Sequence, residues 1–407
     1  MGNLAINYME LNRGTEALKL MEEVLAIQKR SISEDHPDAL KTMHNLANIY
    51  EDLNRPAKAL KLREEVFELS KRVLPKEHPD TLKSMHTLAL SYVYLNRPAE
   101  ALKLLEEVLE IRRRVLPRDH IDTVASMNNL ASSYADANRH TDALKLYEEA
   151  LEIWKRVLPQ GHPDTFGCMV NMADSYQAVG RVRDAVKILE EALPVMKTKI
   201  PNHPFTLTCM GNLANIYALM NRPAEALKLH EELLEIQKRI LPKDHPNTLK
   251  SKVNLAYALM KADRGAEAVA LIDEFLPKAN RPAIDPRLLP MAIDLRLKHF
   301  YKVGDAAECR ATAEKWEKLN RTDAGSLYAA VCHRAVTAAV QAKSPGADAA
   351  RLAQADADKA VAWLHQAVKA GFQDAAKMKK DPDLNALRER EDFKKLLADL
   401  EKGAPKK

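Results

Sequence analysis

The stretch Glu77–Pro117, EHPDTLKSMHTLALSYVYLNRPAEALKLLEEVLEIRRRVLP, contains one complete structural unit of this chain. Two runs of helix-forming residues are separated by Asn-Arg-Pro and bounded by His-Pro and Leu-Pro. Pro79 and Pro98 suit the first turn of a helix, and Asn96 suits the left-handed residue that closes one. The final proline disfavours helix in Leu116. The stretch therefore predicts a pair of helices.

The same unit recurs along the chain at a nearly constant step. Its first histidine returns with spacings of 42, 42, 42, 41 and 42 residues, at His36, His78, His120, His162, His203 and His245. A fixed period of this length indicates stacked helical repeats. One helical hairpin cannot bury both of its apolar faces, so stacking of neighbouring units completes the core. The repeat therefore predicts an all-α solenoid of antiparallel helix pairs.

The second helix of the unit carries a regular apolar pattern. Ala101, Leu104, Val108, Ile111 and Val115 follow one another at steps of 3, 4, 3 and 4 residues. This spacing predicts a single apolar stripe facing the core.

The repeated histidines raise the question of a metal site. Zinc ligands each lie about 2 Å from a single ion, whereas equivalent residues of successive units are roughly one helix layer apart, on the order of 10 Å. One histidine per unit therefore indicates a helix-start and packing residue, and we predict no metal, no cofactor and no catalytic residue. The Glu-Glu pairs of the second helices recur in every unit, which indicates a solvated outer edge and not an acid–base pair with two separated pKa values. They are Glu64-Glu65, Glu106-Glu107, Glu148-Glu149, Glu190-Glu191 and Glu231-Glu232.

Composition narrows the class of partner. The 407 residues include 12 glycines, 5% aromatic residues and a net charge of +5, with acidic and basic residues alternating along the helices. This pattern argues against nucleic acid, which would favour a basic stripe. The four cysteines form no CxxC motif and suit a reducing compartment, with Cys168 and Cys209 expected as small buried residues. No apolar run approaches the roughly 20 residues of a membrane span, so we expect a cytoplasmic protein without membrane contact.

These residues resemble the tetratricopeptide repeat signature. The residues that match the signature in one repeat are Leu130, Ala131, Tyr134, Ala143, Tyr147 and Ala150. The standard repeat has about 34 residues, and the longer unit ending in LPxDHPDT is similar to the kinesin light chain type. The resemblance covers about residues 1–275 and implies a right-handed superhelical solenoid.

Domain organisation follows from where the repeat stops. We predict a solenoid of about six and a half units over 1–277, an irregular helical region over 278–402 and a basic tail at 403–407. The first unit is expected to be truncated, because Met1–Ala5 aligns with Met43–Ala47. The boundary stretch NRPAIDPRLLP is rich in proline. Further helices are predicted near 287–302, 305–319, 324–342, 348–370 and 383–401.

The C-terminal third is similar to the tail of bacterial proteins in which such repeats follow a serine/threonine kinase domain. The chain itself contains no Gly-rich phosphate loop, no His-Arg-Asp motif and no Asp-Phe-Gly motif. One hypothesis is therefore that the chain is the regulatory part of a larger signalling protein.

The resemblance also implies where a partner binds. In peptide-binding members of the family the first helices line a concave groove, and an asparagine beside Leu-Ala holds the ligand backbone. The positions that match are Asn45, Asn129, Asn171, Asn212 and Asn254, with Thr87 as the exception. Four residues upstream lie Lys41, Lys83 and Lys250, which suit an acidic ligand, while Ala125, Gly167 and Thr208 interrupt the series.

Two interpretations of the asparagines remain open. Each amide can bind the backbone of an extended peptide through its donor and acceptor, or it can bridge adjacent helices without touching a ligand. We predict a non-catalytic scaffold that binds a protein or peptide partner, favoured over an enzyme site in the C-terminal third and over base-by-base RNA recognition.

Overall fold

The computed structural model describes Tyr8 and residues 13–403. Every regular element among these residues is helical, which confirms the all-α class. The chain divides into two compact units, Met1–Cys209 and Met210–Lys407. The predicted truncated helix at Met1–Ala5 and the tail beyond residue 403 lie outside the described residues. The predicted domain boundary at 277 stays a prediction.

Helices of two lengths alternate through unit 1. First helices have 16 residues and second helices have 18. The first helices are α2 (Pro37–Asp52), α4 (Pro79–Tyr94), α6 (Ile121–Asp136) and α8 (Pro163–Ala178). The second helices are α1 (Gly14–Ser31), α3 (Pro56–Val73), α5 (Pro98–Val115), α7 (His140–Val157) and α9 (Val182–Lys199). Helix α10 (Pro204–Leu219) follows α9 in the chain.

The repeated histidines are helix N-caps. The Nδ1 atom of His78 accepts a hydrogen bond from the backbone N–H of Asp80 at 3.2 Å, and its backbone is extended, with φ −64° and ψ 137°. The same 3.2 Å bond forms at His36, His120, His162, His203 and His245. An N-cap acceptor satisfies one of the free N–H groups at a helix start. This confirms the helix-start interpretation and adds the side chain as the capping group.

The predicted helix ends are also confirmed. The asparagines that follow the first helices of the repeats adopt left-handed backbone conformations, with φ of 56° at Asn54, 57° at Asn96, 61° at Asn138 and 58° at Asn221. Gly180 fills the same position with φ 79°. At the other end of the second helix, Leu116 is extended with ψ 156° before its proline, as expected of a residue preceding proline.

The apolar face of the second helix is broader than predicted. Val115 is 43% exposed and Leu104 is half-buried, so the predicted stripe is wrong at these two positions. The residues of α5 that are buried are Ala101, Leu105, Val108, Leu109, Ile111 and Arg112. The reason is that α5 packs against two first helices, α4 and α6. A helix held between two neighbours buries a wider arc than one stripe.

A recurring side-chain contact joins successive helical repeats. Tyr134 Oη donates to Glu106 Oε1 at 2.7 Å, and the guanidinium of Arg139 lies 4.0 Å from the centre of the Tyr134 ring. We call these contacts the tyrosine ladder. Its other hydroxyl bonds run from Tyr50 to Glu22, Tyr92 to Glu64 and Tyr176 to Glu148. The glutamates predicted to form a merely solvated edge therefore bind the neighbouring unit.

Unit 2 begins with the same pattern and then becomes irregular. Its helices are α11 (Pro223–Ile240), α12 (Pro246–Lys261), α13 (Gly265–Phe275), α14 (Leu288–Val303), α15 (Ala306–Glu317), α16 (Ala324–Gln341), α17 (Ala349–Lys369), α18 (Ala375–Lys380) and α19 (Glu391–Gly403). The predicted helices at 287–302, 305–319, 324–342 and 348–370 agree with α14 to α17 within two residues.

The single helix predicted over 383–401 is wrong. The structure has a 3-10 helix at Pro382–Leu387 and starts α19 only at Glu391. In a 3-10 helix residues three apart lie on the same side, and Leu384 and Leu387 both pack into the core formed with α16 and α17. Continuing a straight α-helix would break this packing.

A buried ion network holds the C-terminal helices together. Arg334 of α16 is fully buried and donates to Glu317 of α15 at 2.6 Å and to Asp356 of α17 at 2.8 Å. Arg310 also donates to Asp356, at 2.6 Å. Since buried charges are stable only when paired, this network fixes three helices in one arrangement.

Candidate functional site

Three of the residues predicted to bind a ligand lie together. Lys41 and Asn45 of α2 and Lys83 of α4 line one cavity of about 520 Å³. Lys41 and Lys83 are exposed and Asn45 is half-buried. The walls come from α2, from the C-terminal part of α3 and from the start of α4. We call this space the Lys41 cavity. Its volume is typical of small-ligand and peptide side-chain sites, which run from about 300 to 1,000 Å³.

Arg63, which the sequence analysis did not single out, connects the two first helices that line this cavity, α2 and α4. Arg63 of α3 is 5% exposed. It donates to Asn48 Oδ1 at 2.9 Å and to Glu51 Oε2 at 2.6 Å, both on α2. On α4 it donates to the hydroxyl of Ser91. Arg63 therefore fixes α2 and α4 relative to each other.

The sequence carries a signal for Arg63. The equivalent positions of the neighbouring units are Met21, Leu105 and Tyr147, all buried against first helices. A charged residue in a position that is otherwise apolar indicates a buried ion pair, because an isolated charge there would be too costly. The repeat alignment was sufficient to find it.

One of the two histidines that line the Lys41 cavity, His44, is neutral at pH 7. Burial lowers its pKa to about 4, and the charges of Lys83 and Arg63 act in the same direction. Lys41 and Lys83 are the lysines that bring positive charge to the cavity. Three aspartates, Asp35, Asp38 and Asp80, also line it. Asp38 and Asp80 each lie beside their own N-cap histidine, 3.7 Å and 3.8 Å from the respective Nδ1 atoms.

Asn129 contacts the preceding repeat. Its Nδ2 lies 2.9 Å from Nε2 of His86 on α4. Burial lowers the pKa of His86 to about 4, with the Arg112 charge as a second cause, so this ring is neutral and able to accept a hydrogen bond. At Asn129 the bridging interpretation thus has a contact to support it, while Asn45 lines a cavity.

The remaining predicted residues do not lie in the Lys41 cavity. Asn171 of α8 is half-buried, and the position four residues upstream is Gly167. A side chain there would collide with Phe205, since an added Cβ would lie 2.7 Å from the ring. The aromatic ring thus fills the place that a lysine takes in α2 and α4. Asn212 and Asn254 are half-buried and Lys250 is exposed, all three in unit 2.

Comparison with protein families identifies the repeat. The tetratricopeptide repeat profile matches residues 1–72, 55–114, 97–156, 122–198 and 164–239. Together these matches run from residue 1 to residue 239 of the 407. The chain belongs to the tetratricopeptide repeat family. Tetratricopeptide repeat proteins are generally non-catalytic scaffolds for protein interaction, and their partners are proteins or peptides.

Solved structures similar to this chain include a protein whose description names the kinesin light chain. A Podosopora anserina protein described as a kinesin light chain with nearly identical TPR-like repeats is 31% identical, with 50% of this chain and 97% of that chain covered and a TM-score of 0.46. Among curated proteins, none matches this sequence.

Two more distant structures share the fold over most of this tetratricopeptide repeat chain. The apo form of the quorum sensor NprR from B. thuringiensis is 15% identical, with 91% and 97% of the two chains covered and a TM-score of 0.59. A STAND protein with a tetratricopeptide repeat sensor, PH0952 from Pyrococcus horikoshii, is 13% identical and also has a TM-score of 0.59, with 90% of this chain and 52% of that one covered. The resemblance of the C-terminal third to kinase-linked proteins stays a prediction.

None of the helices within the described part of the chain combines the length and the apolar character that a membrane crossing requires.

Proposed function

We propose that this tetratricopeptide repeat protein is a scaffold that binds an extended acidic peptide segment in the Lys41 cavity. The observation that carries the proposal is that Lys41, Asn45 and Lys83, from two successive units, line the same space. Residues placed one repeat apart can contact neighbouring residues of one extended ligand.

Asn45 has the chemistry and the position to hold a peptide backbone. Its side chain offers an N–H donor pair and a carbonyl acceptor, which match the C=O and N–H of one extended residue. Because the side chain is half-buried, part of its rotamer freedom is already lost in the free protein, so less entropy is lost when a ligand binds. Thr87 at the equivalent position of α4 offers only a hydroxyl, which supports Asn45 as the main polar anchor.

The lysines favour a ligand with carboxylate groups. Neither Lys41 nor Lys83 forms a hydrogen bond or an ion pair with any residue in the described part of the chain. Their ammonium groups are therefore available to a partner. Two exposed charges attract an acidic segment from solution and raise the association rate more than the final affinity. The expected binding is consequently weaker at high salt.

The test is to select ligands and then remove the cavity groups. The full chain is screened against immobilised peptides of about 12 residues with net charges from strongly acidic to strongly basic, a length that spans several repeats when extended. We expect acidic peptides to bind. The double variant Lys41→Ala/Lys83→Ala should lose at least about tenfold in affinity, and Asn45→Ala a similar factor, since each removes a charged or bidentate contact.

The repeat supplies a charge-matched control. Lys61→Ala/Lys103→Ala removes two exposed lysines that also lie one repeat apart, but on the second helices α3 and α5. This variant should bind as the wild type does. Equal loss in both double variants would reduce the effect to net charge, and preference for neutral or basic peptides would reject the proposal.

A further inference from the structure

A second cavity, in unit 2, contains reactive side chains that the proposed function does not use. It has a volume of about 470 Å³ and lies between α14, α16 and the segment 377–385. Its walls include Asp294, Tyr328, Cys332, His333, Asp381 and Asp383. A thiol, an imidazole and three carboxylates in one wall are the set of groups that binds transition metals.

Three of these groups have their donor atoms close enough for one ion. A sulfur of Cys332 and one oxygen each of Asp381 and Asp383 lie within 4.8 Å of one another. Cys332 Sγ is 3.8 Å from Asp381 Oδ2. In tetrahedral zinc sites, with bonds of about 2.3 Å to sulfur and about 2.1 Å to oxygen, the two ligand atoms are roughly 3.6 Å apart. The observed separation is thus close to that of a coordinated pair.

The surrounding contacts orient these ligands. Tyr328, one turn before Cys332 on α16, donates its hydroxyl to Asp381 Oδ2 at 2.9 Å. The other oxygen of Asp381 accepts the backbone N–H of Asp383 at 3.1 Å. Such hydrogen bonds to a ligand carboxylate fix its position in metal sites. The Asp383 carboxylate itself has neither a hydrogen bond nor an ion pair with any residue that the structure describes.

His333 provides a further unsatisfied group in the same wall. It is 3% exposed, and its Nε2 lies 3.1 Å from Asp294 Oδ1. Its Nδ1 is buried and has no hydrogen-bond partner among the described residues. Buried polar atoms normally have partners, and the contact of Nε2 with Asp294 places this ring in the same cavity wall as Cys332.

We propose that Cys332, Asp381 and Asp383 bind a divalent transition ion of the zinc type, with its fourth position open to the cavity. A thiolate together with carboxylates favours such an ion over Mg²⁺ or Ca²⁺, which prefer oxygen ligands alone. On binding, the Cys332 thiol gives its proton to solvent and its sulfur lone pair to the ion. Three anionic ligands around a 2+ ion leave one negative charge, and Lys377, whose ammonium is 5.0 Å from the Tyr328 ring centre, lies nearby to balance it.

This site goes beyond the proposed peptide binding and does not depend on it, because the Lys41 cavity lies in the other compact unit. Peptide binding can therefore be absent while metal binding is retained, and metal binding can be absent while peptide binding is retained.

The probe is Co²⁺ added to the tag-free, metal-depleted full chain. We expect one equivalent to bind, with a cobalt–thiolate charge-transfer band and release of about one proton per ion, since the ligand thiol must be deprotonated. Cys332→Ser should abolish the band. Asp383→Asn, at an exposed position that leaves the fold intact, should weaken binding at least about tenfold. Zn²⁺ should displace Co²⁺ and remove the colour.

Matched variants complete the test. Cys309→Ser removes another buried thiol of unit 2, and Glu389→Gln removes a carboxylate whose side chain is 94% exposed. Both should keep the band and the affinity. Absence of a thiolate band in the wild type, or a band and stoichiometry unchanged by both Cys332→Ser and Asp383→Asn, would overturn the proposal.

Discussion

Replacing Arg63 tests whether one buried charge holds α2 and α4, the two first helices of the Lys41 cavity, together. Arg63→Met keeps most of the side-chain volume, and Met21 shows that this position accepts methionine in a neighbouring unit. The change removes hydrogen bonds to Asn48, Glu51 and Ser91. Asn48 is exposed and the Glu51 side chain is 29% exposed, so both can bind water instead.

The main cost then comes from Ser91, which is 3% exposed. Leaving a buried hydroxyl without its partner costs about 1–3 kcal/mol, while the desolvation of the guanidinium is recovered. We therefore expect Arg63→Met to lower the local free energy of unfolding by about 1–2 kcal/mol. Arg63→Ala adds a cavity and should cost about 3–5 kcal/mol in all. Arg72→Met, on the exposed side of the same helix, should change it by less than about 0.5 kcal/mol.

Native-state hydrogen exchange of the amides in α2, α3 and α4 measures this effect locally, which suits a repeat protein whose unfolding need not be two-state. A double-mutant cycle with Ser91→Ala isolates the contact. Ser91→Ala should cost about 1 kcal/mol in the wild type and close to nothing beside Arg63→Met. Additive effects, or equal protection in Arg63→Met and Arg63→Ala, would refute the assignment of Arg63 as the link between α2 and α4.

Three further predictions concern the repeat itself. Tyr134→Phe removes a 2.7 Å bond to an exposed glutamate, so urea denaturation should show a loss of about 0.5–1 kcal/mol, and a loss below 0.2 kcal/mol would contradict the tyrosine ladder as a stabilising contact. His78→Ala removes the N-cap and should lower the free energy of unfolding by about 1 kcal/mol in the same assay, and His78→Asp should restore most of that loss. An equal loss in both variants would contradict the capping role. Burial lowers the pKa of His230 to about 4 from an ordinary 6.5. As the pH falls, this histidine is therefore protonated in the unfolded chain before it is protonated in the folded one. The free energy of unfolding should fall between about pH 6.5 and 4, by up to roughly 3 kcal/mol. His230→Leu should flatten this pH dependence, and an unchanged slope would contradict it.

Much of unit 1 could be predicted from sequence because its signals are local. His-Pro, the left-handed asparagine and Leu-Pro each act through the backbone of one or two residues, and they fixed the helix ends throughout the repeat. The period then assigned each helix its neighbours. Contacts that depend on packing were less visible: Val115 belongs to the periodic pattern and is nevertheless 43% exposed, because the helix direction relative to two neighbours decides burial.

The candidate site shows the same difference between residues that local sequence patterns identify and contacts that depend on packing. Sequence alone nominated Lys41, Asn45 and Lys83, and the structure brings these three to one cavity. It could not indicate that Phe205 covers the equivalent place at Gly167, since the two residues belong to successive repeats and meet only after the repeats stack. At 383–401 the sequence favoured a continuous helix, whereas burial of Leu384 and Leu387 decided for a 3-10 turn.

Site-specific photo-crosslinking tests the central claim most directly. A benzophenone side chain placed at position 73, an exposed position of α3 that lines the Lys41 cavity and has no assigned contact to the peptide, should attach to a bound acidic peptide. The same group at position 61, an exposed position of α3 outside the cavity, should not. Strong crosslinking at 73 that is competed by unlabelled peptide is the predicted result. Crosslinking at 61 as strong as at 73, or at 61 alone, would contradict the account.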